Sequence, residues 1–371
     1  MTNKILIVLF LLLTVFSCTT TTKQSSNKKD FSVIAYYTGN GNAINKYPVD
    51  KLTHIIFSFL HLKGNELSFD NSNDSLTLTQ LAALKKKHKN LKIIISLGGW
   101  GGCETCPVVF STDKGRNEFA RSVKKILLEF NADGIDLDWE YPAIEGYPNH
   151  MYSKYDKYNF TSLIKELRKV LGDKFEISFA AGGFTDYIKN SVEWKKVMPL
   201  VDRVNVMTYD LVNGYSRVTG HHTPLYSTEH QKESVDNAIR MLDSIGVERN
   251  KTVIGAAFYA RVWKNVPDIN NGLYQSGKFK TAVNYKDFTN TFTKERGFKY
   301  YWDNTAQAPY TYSSKEKLFA TFDDSASISL KTEYAVKKNL AGIMFWELKT
   351  DKYKNGLVDV IYSTMENYGR Q

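Results

Sequence analysis

The sequence predicts an α/β protein folded as a (β/α)8 TIM barrel, and three observations carry that expectation. Eight β-branched or aromatic runs recur along the chain, at residues 33–37, 54–59, 92–97, 134–139, 176–180, 203–209, 252–258 and 342–347. Several are continuously apolar, as strands buried on both faces of a parallel sheet must be. Segments with apolar residues at helical spacing lie between them, and this alternation favours a barrel over a doubly wound sheet. About 340 residues follow an N-terminal leader, more than one plain barrel requires and too few for two full domains.

In chain order, residues 1–17 read as an export signal. Lys4 precedes an apolar run from Ile5 to Phe16, which is too short to span a bilayer comfortably. The run stops at Ser17-Cys18, and polar residues follow to Lys29. This pattern resembles a bacterial lipoprotein signal with Cys18 as the lipidated residue; ordinary signal-peptidase cleavage and secretion is the alternative. Residues 18–29 then form a flexible tether to a membrane surface (outer membrane, cell surface or periplasm).

Residues 30–263 with 322–371 are expected to make the barrel. Phe119, Val123, Ile126, Leu127 and Phe130 follow helical spacing. So do Phe160, Leu163, Ile164, Leu167, Val170 and Leu171 before Gly172, and Val235, Ile239, Leu242 and Ile245 before Gly246. The last helix is expected at about 327–339. More than 60 residues separate it from the seventh strand, too many for a simple loop. Residues 264–321, rich in Tyr, Phe, Lys and Asn, therefore read as a small α+β insertion lobe on the rim of the barrel.

Composition excludes some functions. The formal charge of +10 is mostly scattered lysine, with one dense run, Lys85-Lys86-Lys87-His88-Lys89, at the end of a predicted helix where cations complement the dipole. No nucleic-acid-binding module accompanies it, so no nucleic-acid partner is expected. Cys103 and Cys106 could supply half a zinc site, but the chain has no second cysteine pair to complete one. A local disulfide or two free thiols both remain open. No metal and no cofactor are expected, and the chain is expected to be monomeric.

The chemistry centres on Asp133-Gly-Ile-Asp136-Leu-Asp138-Trp-Glu140-Tyr-Pro. Strand alternation puts Asp136, Asp138 and Glu140 on one face and Ile135, Leu137 and Trp139 on the other. A covered apolar face turns the acids into an enclosed space, about 7 Å from one to the next. Like charges so placed cannot all ionise freely, so at least one carboxyl keeps its proton to higher pH. That is what general-acid cleavage of a glycosidic bond requires. Paired aspartates also suit hard divalent cations, although calcium loops are Gly/Asn-rich turns rather than aromatic strands.

These residues resemble glycoside hydrolase family 18, the chitinases, whose strand-four DxxDxDxE is matched by Asp133, Asp136, Asp138 and Glu140. Ser96-Leu-Gly98-Gly99-Trp100 is similar to the family's strand-three SxGG, and Met207-Thr-Tyr209-Asp210 to its strand-six motif. Tyr259-Ala-Arg261 resembles the strand-seven motif, and Gly342 to Glu347 the strand-eight ending. Tyr36 and Phe59 match aromatic positions on the first two strands.

The resemblance implies a retaining, substrate-assisted mechanism. In it Glu140 is the acid and Asp138 orients the substrate acetamide. Asp136 shares a proton with Asp138, and Tyr209 donates to the acetamide oxygen. Trp346 and Met207 would lie beneath the sugar, with Asp210, Tyr259 and Arg261 on its hydroxyls; a purely structural Asp210–Arg261 pair is the alternative. Where relatives often place a tryptophan under the leaving-group sugar, this chain has Tyr215.

Chitin or chitooligosaccharide is the implied substrate, cut internally. An endo-β-N-acetylglucosaminidase acting on N-glycan cores is the rival, against which Trp139, Tyr141-Pro142 and the lobe weigh. A non-catalytic chitin-binding lectin is disfavoured by the presence of Glu140.

Overall fold

In the computed structural model, residues 31–369 are described; the leader, the tether and Cys18 lie outside them. Eight parallel strands occupy the expected positions: β1 Ser32–Tyr37, β2 His54–Lys63, β3 Lys92–Gly98, β4 Gly134–Asp138, β5 Glu176–Gly182, β6 Arg203–Met207, β7 Thr252–Ala257 and β8 Gly342–Trp346. They pair in sequence order, and the pairing of β8 with β1 and of β1 with β2 closes the barrel. β2 runs on into a short hairpin with Glu66–Ser68.

Alternation along the strands divides two cores. Ile135, Leu137 and Trp139 of the acidic strand point outward into the layer between barrel and helices. Ile34, Tyr36, Ile56, Ile94, Met207 and Met344 fill the interior. The helices begin and end where local chemistry dictates. Thr112 accepts from the Gly115 N–H to cap Asp113–Glu129, and Ser234 accepts from Asn237 N–H to cap Val235–Ser244. Gly172, at φ 63°, closes Asp156–Leu171 in a conformation that favours glycine.

The floor of the barrel is ionic. Glu176 on β5 meets His54, Lys92 and Arg203 from neighbouring strands. Burial pushes His54 down to about 4, so a neutral imidazole sits beside the cations at neutral pH. Asp133, at the same end, accepts from the Ile93 N–H and pairs with Lys85. The first acid of the motif is therefore a structural tie far from the open end, and Lys85 of the basic run is its partner.

Two elements differ from expectation. The helix Ser325–Lys337 is not the last; β8 and a further helix, Leu357–Gly369, follow it. Asp351 starts that helix by accepting from the Leu357 and Val358 N–H groups. The excursion after β7 is chiefly an antiparallel sheet of five strands, with one four-residue helix, Phe288–Thr291. Its strands, across the sheet, are Lys278–Asn284, Tyr259–Lys264, Leu318–Thr321, Ala308–Ser313 and Phe298–Asp303. The sheet thus takes in Tyr259 and Arg261, ahead of the boundary read from sequence.

Candidate active site

The acids of β4 sit at different heights in the barrel and have different surroundings. Register places Asp136 level with Ser96 on β3 and Ser178 on β5. Its carboxylate accepts from Tyr36 Oη (2.9 Å), Ser96 Oγ (3.2 Å), Ser178 Oγ (2.6 Å) and Asn205 Nδ2 (3.0 Å). Burial raises its pKa and these four donors oppose the rise. These four groups supply its hydrogen bonds, one layer below Asp138. Four donors also leave it little lone-pair capacity for a metal ion.

Asp138 lies one layer higher and is almost fully buried, yet its Oδ1 has no hydrogen-bond partner among the described residues. Burial, then Glu140 and then Asp136, raise its pKa well above the usual carboxylate range. Glu140 follows just beyond the strand and is half-buried. Burial pushes it up to about 7; the Tyr141 hydroxyl hydrogen bond opposes the rise and the Asp210 charge adds to it. The two carboxyls titrate as a coupled pair, so near neutrality one of them keeps a proton.

Asp210 closes the other side. It takes a left-handed conformation, φ 56°, and pairs with Arg261 through both carboxylate oxygens. His222 Nδ1 lies 3.4 Å from the same carboxylate. Burial alone would raise Asp210, but His222 and Arg261 hold it well below the usual range. Asp210 is thus a fixed anion facing Glu140. Replacing it by Asn is expected to lower the Glu140 pKa. An acid is active while protonated, so the basic limb of kcat/KM should move to lower pH. An unmoved limb in the Asp210→Asn profile would contradict this electrostatic link.

Aromatic rings line the rest. Trp346, ending β8, stacks on Phe59 with centroids 5.6 Å apart and an interplanar angle of 15°, and tilts against Tyr36 at 5.9 Å. Thr38 donates to Glu347 from its N–H and its hydroxyl, tying the ends of β8 and β1 together. Gly99 has φ 81°, and a Cβ there would lie 2.4 Å from the Phe59 ring, so only glycine permits this approach. Tyr209 meets Tyr259 edge-on at 6.4 Å, and its hydroxyl points at the Met344 sulfur, 3.8 Å away. Met207 packs in the same cluster.

Trp100 is exposed at the rim and contacts Tyr141, Tyr147 and Tyr215. Cys103, in the loop after Trp100, forms a disulfide with Cys106 at the start of the helix Cys106–Phe110, closing the alternative the sequence left open.

The structure therefore gathers Tyr36, Phe59, Gly99, Trp100, Asp136, Asp138, Glu140, Met207, Tyr209, Asp210, Tyr215, Tyr259, Arg261 and Trp346 around the open end of the barrel. Sequence reasoning missed Ser178, Asn205, Tyr141 and His222 as members. Ser178 and Asn205 had a signal, being polar residues at inward positions of otherwise apolar strands.

Comparison with known proteins agrees with this geometry. The model of glycosyl hydrolases family 18 matches residues 32–351. The chain belongs to glycosyl hydrolases family 18. Among its relatives in the family is chitinase A1 of Niallia circulans, 34% identical over 302 residues, covering 75% of this chain and 43% of that one. Thus the chain spans less than half the length of that relative. Chitinase 1 of Aphanocladium album is 28% identical over 360 residues, covering 87% and 81%. A solved family 18 N-acetylglucosaminidase from Paenibacillus barengoltzii superposes with a TM-score of 0.82 at 34% identity, covering 90% of this chain and all of that one.

Proposed function

We propose that this family 18 glycosidase cuts β-1,4-linked N-acetylglucosamine chains internally, by substrate-assisted catalysis with net retention. One observation carries the reading. A buried carboxylate oxygen of Asp138 lacks a donor, and it stands beside an acid whose pKa is about 7. An unpaired buried acceptor is costly, and an acetamide N–H is the donor that relieves it.

The steps follow. Glu140 gives its proton to the glycosidic oxygen as the bond from that oxygen to the anomeric carbon breaks. The acetamide carbonyl oxygen of the same sugar forms the new bond to that carbon, giving an oxazolinium ion. Asp138 holds the acetamide N–H and stabilises the developing positive charge. Asp136, held by its four donors, adds its charge to those that raise the Asp138 pKa. In this reading Tyr209 turns its hydroxyl from the Met344 sulfur and donates to the acetamide oxygen, and Trp346 supplies an apolar floor. Water then opens the oxazolinium and returns its proton to Glu140, so two displacements leave the configuration retained.

A second reading is release of single N-acetylglucosamine units, favoured by the likeness to the Paenibacillus enzyme. A time-resolved product profile on N-acetylglucosamine hexamer, colloidal chitin and an N-glycoprotein separates them. Early dimers to tetramers support internal cutting; monomer alone from the first time point supports the second reading, and glycan release with inert chitin contradicts both. We also propose that Cys18 carries a lipid anchor, on the strength of the Ile5–Phe16 run before it. Cys18→Ser should shift the protein from the membrane to the soluble fraction.

A further inference from the structure

Trp100 stands in a loop made almost entirely of glycine, Gly98-Gly99-Trp100-Gly101-Gly102. Gly98, Gly99 and Gly101 take φ of 107°, 81° and 86°, a region open to glycine and costly to other residues. Glycine loses more freedom on folding than any other residue, so this segment has little tendency of its own to stay ordered. The Trp100 ring adds weak restraint, being 45% exposed. Yet the loop lies close against the acidic strand. The Gly99 N–H donates to the Asp138 carbonyl at 2.9 Å, and the Gly102 N–H donates to the Gly99 carbonyl at 2.8 Å. A Cβ on Gly98 would lie 2.2 Å from the same Asp138 oxygen.

The disulfide between Cys103 and Cys106 follows at once. Cys106 is fully buried and opens the helix Cys106–Phe110, whose Phe110 packs on Phe119 and Trp139 with centroids 5.0 and 5.6 Å away. The bond thus joins the end of the glycine loop to a helix seated in the core. A disulfide stabilises a whole fold more as it encloses more chain, and this one joins residues three apart. Its main effect is therefore on the loop itself. We propose that the Cys103–Cys106 bond is a positioning clamp for Trp100, holding the ring where it meets the sugar chain. The inference rests on reading the cleft as a site for N-acetylglucosamine chains. A loop ordered in advance spares the substrate the cost of ordering it, so the clamp acts on affinity rather than on the bond-breaking step.

A purely structural bond is the rival. Its removal would lower the melting temperature and would have the same effect whether or not Trp100 is present. A clamp instead acts through Trp100, so the two residues should be coupled. Substitution of Cys103 alone breaks the bond and leaves Cys106 to fill its place in the core.

The test uses the full-length chain carrying Cys18→Ser, whose only cysteines are then Cys103 and Cys106. Cys103→Ala is made in that chain and in the same chain carrying Trp100→Ala. With Trp100 present, KM for N-acetylglucosamine hexamer should rise about five- to tenfold and kcat should stay within about twofold. In the Trp100→Ala background the same substitution should change KM by less than about twofold. Hydrogen exchange at the Gly99 and Gly102 N–H groups should quicken about tenfold or more in Cys103→Ala. Cys103→Ala combined with Cys106→Ala should behave as Cys103→Ala does. An equal rise in KM in both backgrounds would overturn the proposal, as would unchanged exchange at Gly99 and Gly102. So would a fall in kcat with KM unchanged. If the parent chain does not cleave the hexamer, it is the proposed activity that fails, and exchange of the two glycine amides still decides whether the bond orders the loop.

Discussion

Glu140→Gln is expected to lower turnover of N-acetylglucosamine hexamer by about 10²–10⁴-fold, the range supplied by a positioned proton donor. Binding of the hexamer should survive, because the substitution keeps the shape of the side chain and removes only its titratable proton. Turnover within tenfold of the wild type would contradict the assignment.

The same variant has a signature in stability. The folded pKa of Glu140, about 7, lies above its ordinary value of 4.5. Between these values the folded state keeps a proton that the unfolded chain releases, so this group destabilises the fold progressively as pH rises from 4.5 to 7. Glutamine stays neutral throughout. The Tm of Glu140→Gln relative to wild type should therefore be higher at pH 8 than at pH 4.5. A constant difference across that range would mean that the acid is not perturbed in the folded protein. Loss of activity through unfolding would instead lower Tm at every pH.

Asp138→Asn carries the second large effect, a fall in kcat of about 10²–10³-fold, comparable to removing a preorganised group from a developing charge. An amide keeps the size of the side chain but cannot stabilise positive charge on the oxazolinium. A thiazoline mimic of that ion should inhibit the wild type strongly and the variant weakly. A variant with unchanged kcat would make Asp138 a structural carboxylate, and its buried, unpaired Oδ1 would then have no functional account.

Much of this was legible before any coordinates, for identifiable reasons. Several of the strands are buried on both faces and continuously apolar, and the others keep β-branched or aromatic residues on one face, which is why all eight could be placed. The acids of β4 were legible because alternation assigns each side chain to a face. Height within the barrel was not legible, since it is set by register between strands. Asp136 meets Tyr36, Ser178 and Asn205 across separations of 100, 42 and 69 residues, which no local pattern encodes. The same separations hid the four donors that Asp136 meets beside Asp138. The final helix was missed although Leu357, Val358, Ile361 and Met365 pack its apolar side, because its start depends on the Asp351 carboxylate. The early start of the lobe was hidden likewise, as β7 and Tyr259–Lys264 are separated by a single residue, Phe258.

The central claim is that the substrate brings its own nucleophile, and single-turnover cleavage of matched hexamers tests it most directly. The fully N-acetylated hexamer should be cleaved, with the new reducing end released first as the β-anomer by NMR. The fully deacetylated hexamer, which lacks the acetamide oxygen, should bind without turnover. Cleavage of both at similar rates, or first release of the α-anomer, would contradict substrate-assisted retention and return Asp138 to the role of an ordinary second carboxylate.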